Sequence, residues 1–95
     1  MGTIGGRPTI ANTTMTAAAT EYSYDIPAGT IRFSIKLRAL NAILKLAFVE
    51  NESGTTYISI PYGETYVEEN VKGGPLTLYF QSPTALQVAE IKTWR

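Results

Sequence analysis

Between Thr30 and Arg38 the chain reads TIRFSIKLR, with apolar residues on every second position. Ile31, Phe33, Ile35 and Leu37 share one face, and Arg32, Ser34, Lys36 and Arg38 share the other. A strand of period two satisfies that pattern and a helix of period 3.6 does not. Related runs recur in TEYSYDI (20–26), TYISI (56–60), TYVEE (65–69) and LTLYFQ (76–81). Between them lie PAGT, NESGT, PYGE, NVKGGP and SPTA, stretches rich in the residues that turn a chain. Short strands recurring every 8–12 residues or so, with turns between, describe a sandwich or a barrel. The last run, LQVAEIKTW, holds Leu86 and Val88 in phase and Ile91 out of phase, so a bulge near Ala89 is expected.

One segment reads two ways. In IKLRALNAILKLAFVE (35–50), Leu37, Leu40, Ile43, Leu44, Ala47 and Phe48 form a helical stripe, while Leu44, Leu46 and Phe48 alternate around Lys45 as in a strand. A helix starting at Lys36 leaves the preceding strand no room to finish. A hairpin turning at ALN (39–41), with a second strand over Ala42–Glu50, agrees better with the neighbouring strands. Lys45 then sits mid-strand and must reach solvent. Residues 1–19 differ from the rest: Arg7 is their only charged side chain, and Gly2, Gly5, Gly6 and Pro8 disfavour regular pairing. They are expected to form an extended or flexible N-terminal arm, reaching about 60 Å when stretched. TIANTTMTAAAT can instead supply a Thr-rich edge strand. Residues 20–95 form the sandwich domain.

Composition narrows the chemistry. Ninety-five residues make one domain with a modest core, and neither Cys nor His is present. Disulfides are ruled out by composition, and zinc sites are disfavoured. Ser-His and Cys-His catalysis both lack their imidazole. Paired carboxylates are the remaining catalytic option, from Asp25, Glu64, Glu68, Glu69 and Glu90. Glu68 and Glu69, adjacent in a strand, point to opposite faces. No enzyme activity, cofactor or metal is expected. Eight basic and eight acidic residues balance, where a nucleic-acid binder carries a basic excess. No apolar run of membrane-spanning length occurs, so neither nucleic acid nor membrane is an expected partner.

The order IPAGT, an alternating strand, an apolar strand ending in AF, GTTYISIPYGETYVEEN, LTLYFQS and a final EIKTW resembles small bacteriophage virion structural proteins. Capsid decoration, or cement, proteins are among them. The resemblance covers about Glu21–Trp94 and consists of strand order with aromatic landmarks, without a catalytic signature. It implies an all-β fold in which Ala42–Glu50 is a strand, and a place on the capsid surface of a virion. The expected fold is an antiparallel β-sandwich of seven or eight strands with jelly-roll-like connectivity. The expected partners are the major capsid protein or other virion subunits, with the chain itself in a homo-oligomer or symmetric array.

Two binding chemistries are legible. Arg32, Lys36 and Arg38 form a basic stripe on one strand, expected to lie beside the strand of Lys45. Glu64, Glu68 and Glu69 form an acidic counterpart. With Tyr62, Tyr66 and Trp94, aromatic residues of the kind that anchor interfaces, the cations make the candidate partner surface. The alternative is a carbohydrate- or receptor-binding module of a tail fibre or spike, with sugar rings laid over Tyr57, Tyr62, Tyr66, Tyr79 or Trp94. The plain reading of the same aromatics is strand packing.

Overall fold

The structure is a computed structural model and describes residues 8–39, 42–69, 71 and 76–94. Among these residues eight strands form: β1 (Pro8–Met15), β2 (Tyr22–Ile26), β3 (Arg32–Leu37), β4 (Leu44–Ala47), β5 (Ile58–Ile60), β6 (Thr65–Glu69), β7 (Leu76–Gln81) and β8 (Gln87–Trp94). They make two four-stranded antiparallel sheets, ordered β1-β8-β3-β6 and β2-β7-β4-β5. No helix forms among the described residues, and none is long and apolar enough to cross a membrane. The fold is the expected all-β sandwich.

The pairing follows one rule. β1 pairs with β8, β2 with β7, β3 with β6 and β4 with β5. The first half of the chain runs against the second in reverse order, as in one long hairpin. That ribbon is wound so that successive strands alternate between sheets, with β4 and β5 as the one consecutive pair in the same sheet. The cross pairs β3–β8 and β4–β7 join neighbouring turns of the ribbon.

Alternation supplies the core. Phe33, Ile35 and Leu37 of β3 and Ala89 and Ile91 of β8 face Leu44 and Leu46 of β4, Leu78 and Phe80 of β7, Ile26 and Ile60 in one buried cluster. Burying one such side chain contributes roughly 1.5–3 kcal/mol before chain entropy is subtracted. Two turns of the same sequence form, Ile-Pro-x-Gly, close the corresponding corners. In Pro27–Thr30, Gly29 has φ 85° and the Thr30 N–H donates to the Pro27 carbonyl; in Pro61–Glu64, Gly63 has φ 72° and the Glu64 N–H donates to the Pro61 carbonyl. A positive φ at the third place is the condition that selects glycine in such turns. Both corners carry the chain from the β2-β7-β4-β5 sheet to the other, into β3 and into β6.

Several expectations change. Leu44–Ala47 is a strand, but β3 and β4 do not form a hairpin. β3 has β6 and β8 on its two edges, and β4 has β5 and β7. The chain crosses between layers there, which buries Leu44 and Leu46 opposite β3. Leu40 and Asn41, in the expected turn, lie outside the described residues. β8 needs no bulge: its register with β1 and β3 runs unbroken. The inward positions are Gln87, Ala89, Ile91 and Thr93, and Leu86, with φ 61°, precedes the strand and is exposed. The domain boundary placed at residue 20 also moves. Pro8–Met15 is a strand paired along its length with β8, and the Met15 side chain is completely buried, so the Thr-rich edge-strand reading fits residues 8–15. Residues 1–7 lie outside the described residues.

Candidate binding face

The outward positions of the β1-β8-β3-β6 sheet form rows across it. Trp94 lies between Pro8 and Arg32, Lys92 between Ile10 and Ser34, and Glu90 between Asn12 and Lys36. On β6 the rows end in Glu69, Val67 and Thr65. Adjacent antiparallel positions on one face are close enough for their side chains to interact.

Charge on this face divides into a neutralised half and an open half. Glu90 Oε2 accepts a hydrogen bond from Arg38 Nε at 2.7 Å, and Glu90 Oε1 lies 3.7 Å from Lys36 Nζ. The Arg38 hydrogen bond is the main reason the Glu90 carboxyl is held below its usual pKa, against a smaller opposing effect of burial. Arg32 and Lys92 instead converge on the Trp94 ring, with Cζ at 4.5 Å and Nζ at 4.7 Å from its centroid. Among the described residues neither forms an ion pair with a carboxylate, although Glu69 is opposite Arg32 in the register. A shallow groove of about 230 Å³ runs beside this cluster, lined by Ile10, Ser34, Lys36, Glu90, Ile91 and Lys92. Ile10 is 70% exposed on its rim.

Of the candidate surface residues, Arg32, Lys36, Arg38 and Trp94 are brought together on this face. The other three are elsewhere. Lys45 is on β4 in the opposite sheet, with its ammonium 4.9 Å from the Tyr57 ring centroid. Tyr62 is an exposed corner residue between Pro61 and Gly63. Tyr66 opposes Ile35 on the core side of β6, packs 6.2 Å from Phe33 between ring centroids and donates its hydroxyl to Glu68. Burial first, and then Glu68, push the Tyr66 pKa up to about 12. Glu68 and Glu69 do face opposite ways, so the acidic residues do not form one patch. The aromatic candidates for a sugar platform are divided likewise: Trp94 is on this face, whereas Tyr79, opposite Ala47 and Ser23, belongs to the other sheet.

Lys92 was missed because the sequence does not show that β8 lies against β3, which is what sets Lys92 beside Ser34 and near Arg32. A second feature was also missed. Phe48, Val49, Tyr57 and Ile58 line an apolar groove of about 260 Å³ at the β4–β5 end. The consecutive apolar residues of LAFV, more than one strand face can bury, were its signal in the sequence. The nearby loop is tied down by Glu21, which accepts from the Asn51 and Ser53 N–H groups and from Ser53 Oγ. Gln81 Nε2 in turn donates to Ser53 Oγ. Burial raises the Glu21 pKa, but these three donors together outweigh it and leave the pKa below its usual value. No group of three or more metal-ligating side chains occurs among the described residues.

No protein-family model matches the chain, and no curated protein matches it. Among solved structures it is similar to the solution NMR structure of a de novo designed double-stranded β-helix, with a TM-score of 0.57 and 19% identity over 94% of this chain and 99% of that one. At that identity the likeness speaks to fold alone.

Proposed function

We propose that this chain is a non-enzymatic structural protein of a phage virion, a head decoration or cement protein that binds the assembled capsid through the outer face of the β1-β8-β3-β6 sheet. Support comes from the strand order that resembles such proteins and from the wound-ribbon pairing of the two sheets. The single observation that carries the reading is the cluster of Arg32, Lys92 and Trp94. Two cations lie against one aromatic ring on a regular sheet face, without a carboxylate partner among the described residues. Trp and Arg are the side chains that most often dominate interface energetics. The matching partner surface is acidic, offered by the major capsid protein or another virion subunit.

The mechanism is linkage. A protein that binds the assembled shell and not its dissociated subunits stabilises the shell, by about 2.7 kcal/mol at a free concentration a hundred times the dissociation constant. The test is to sediment purified protein with undecorated capsids and, separately, with free capsid subunits, and to follow the heat resistance of the capsids. Binding to capsids with a gain in heat resistance supports the proposal; failure to bind, or binding without any gain, refutes it. A glycan that binds and is lost on Trp94→Ala replacement would instead favour a receptor-binding module.

A further inference from the structure

We propose that the free edge of β1 pairs with β1 of a second copy, joining two β1-β8-β3-β6 sheets into one continuous sheet about a two-fold axis. An edge strand presents unpaired N–H and C=O groups, and proteins guard such edges with charge, proline, bulges or short length. Three of the four edges here are guarded. β5 has three residues and is followed by Pro61. β2 carries Asp25 and lies between Glu21 and Pro27. β6 carries Glu68 and Glu69 and follows Glu64. β1 is the exception. It is eight residues long, contains no charged side chain, has no bulge in its register with β8, and keeps Pro only at its first position.

Backbone alternation shows which groups are free. The Arg38 N–H donates to the Val88 carbonyl, so the even-numbered residues of β8 direct their backbone groups to β3 and the odd-numbered ones to β1. By the β1–β8 register, the odd-numbered residues of β1 bond to β8. The N–H groups of Ile10, Asn12 and Thr14 therefore point to the outer edge, where no strand among the described residues pairs with them. An antiparallel self-pairing centred on Asn12 gives all three N–H groups of each copy an acceptor and leaves Pro8 outside the ladder. Ile10 then faces Thr14, Ala11 faces Thr13, and Asn12 faces its own copy.

The occupant follows from charge. A charged strand paired antiparallel with itself sets like charges near one another, which is unfavourable; β1 has none to oppose. This pairing needs nothing from the outer face, so dimerisation and capsid binding are read separately.

The test uses the full chain, which lacks cysteine. Light scattering across a concentration series should show a monomer–dimer equilibrium. Asn12→Lys places like charges at the two-fold axis. It should weaken the dimer roughly tenfold or more without lowering the melting of the monomer. Asn12→Cys should form an intermolecular disulfide readily, because directly opposed residues in an antiparallel pair are close enough to bridge, whereas Thr14→Cys alone should do so slowly. A monomer at all concentrations, a dimer indifferent to Asn12→Lys, equal crosslinking at both positions, or a dimer that appears only after removal of residues 1–7 would each overturn the proposal.

Discussion

At the scale of single residues, Glu21 and Ser53 form a small polar knot. Ser53 is completely buried, and its N–H and hydroxyl both rely on Glu21. Glu21→Ala is expected to lower stability by about 1–3 kcal/mol, because it strands buried donors; urea unfolding checks the size. Glu21 and Glu90 both have depressed carboxyl pKa values in the fold. A depressed pKa means that the unfolded chain takes up protons first as pH falls. The contribution of each is complete above the unfolded carboxylate value, near 4.3, and is lost as pH drops through the lower folded value. Urea midpoints should therefore fall as pH drops below that value, and less steeply in Glu21→Gln. Tyr66 acts at the other end. Its pKa is raised to about 12 from 10.0, so stability is complete below 10.0 and declines as pH rises towards 12, a decline that Tyr66→Phe should reduce.

At the scale of elements, β1 carries the clearest prediction. Met15 is fully buried at its end. Met15→Ala should cost about 2–5 kcal/mol, as other buried truncations do. Deleting residues 2–19 removes a whole strand and should lower the melting temperature steeply; unchanged melting would show that the strand contributes nothing. Patterning alone located β2, β3 and β7, because each turns one face to the core and therefore alternates. β1 is a weaker signal: Thr9, Ala11 and Thr13 face inward at a sheet edge, so its pattern lacks large apolar residues. β8 misled through Leu86 and Val88, apolar residues that point away from the core, while Gln87 and Thr93 are buried. Such inversions appear only once the neighbours that cover a residue are known.

At the scale of the whole molecule, partner strands lie far apart in the chain, and local periodicity carries no information about them. Arg32, Lys36 and Arg38 were legible as one stripe because they belong to one strand. Their company was not legible. Lys45 lies in the other sheet, and β8 supplies Lys92 and Trp94, some sixty residues from Arg32 in sequence. The wound ribbon brings β1 and β8 into one sheet with β3, and the candidate face exists only after that closure. The measurement that tests this most directly is the affinity of Trp94→Ala for undecorated capsids, with its melting temperature measured alongside. Trp94 points outward from the core, so the fold should be retained while affinity falls by at least about tenfold, or 1.4 kcal/mol. Wild-type affinity in the folded variant would contradict the assignment of this face.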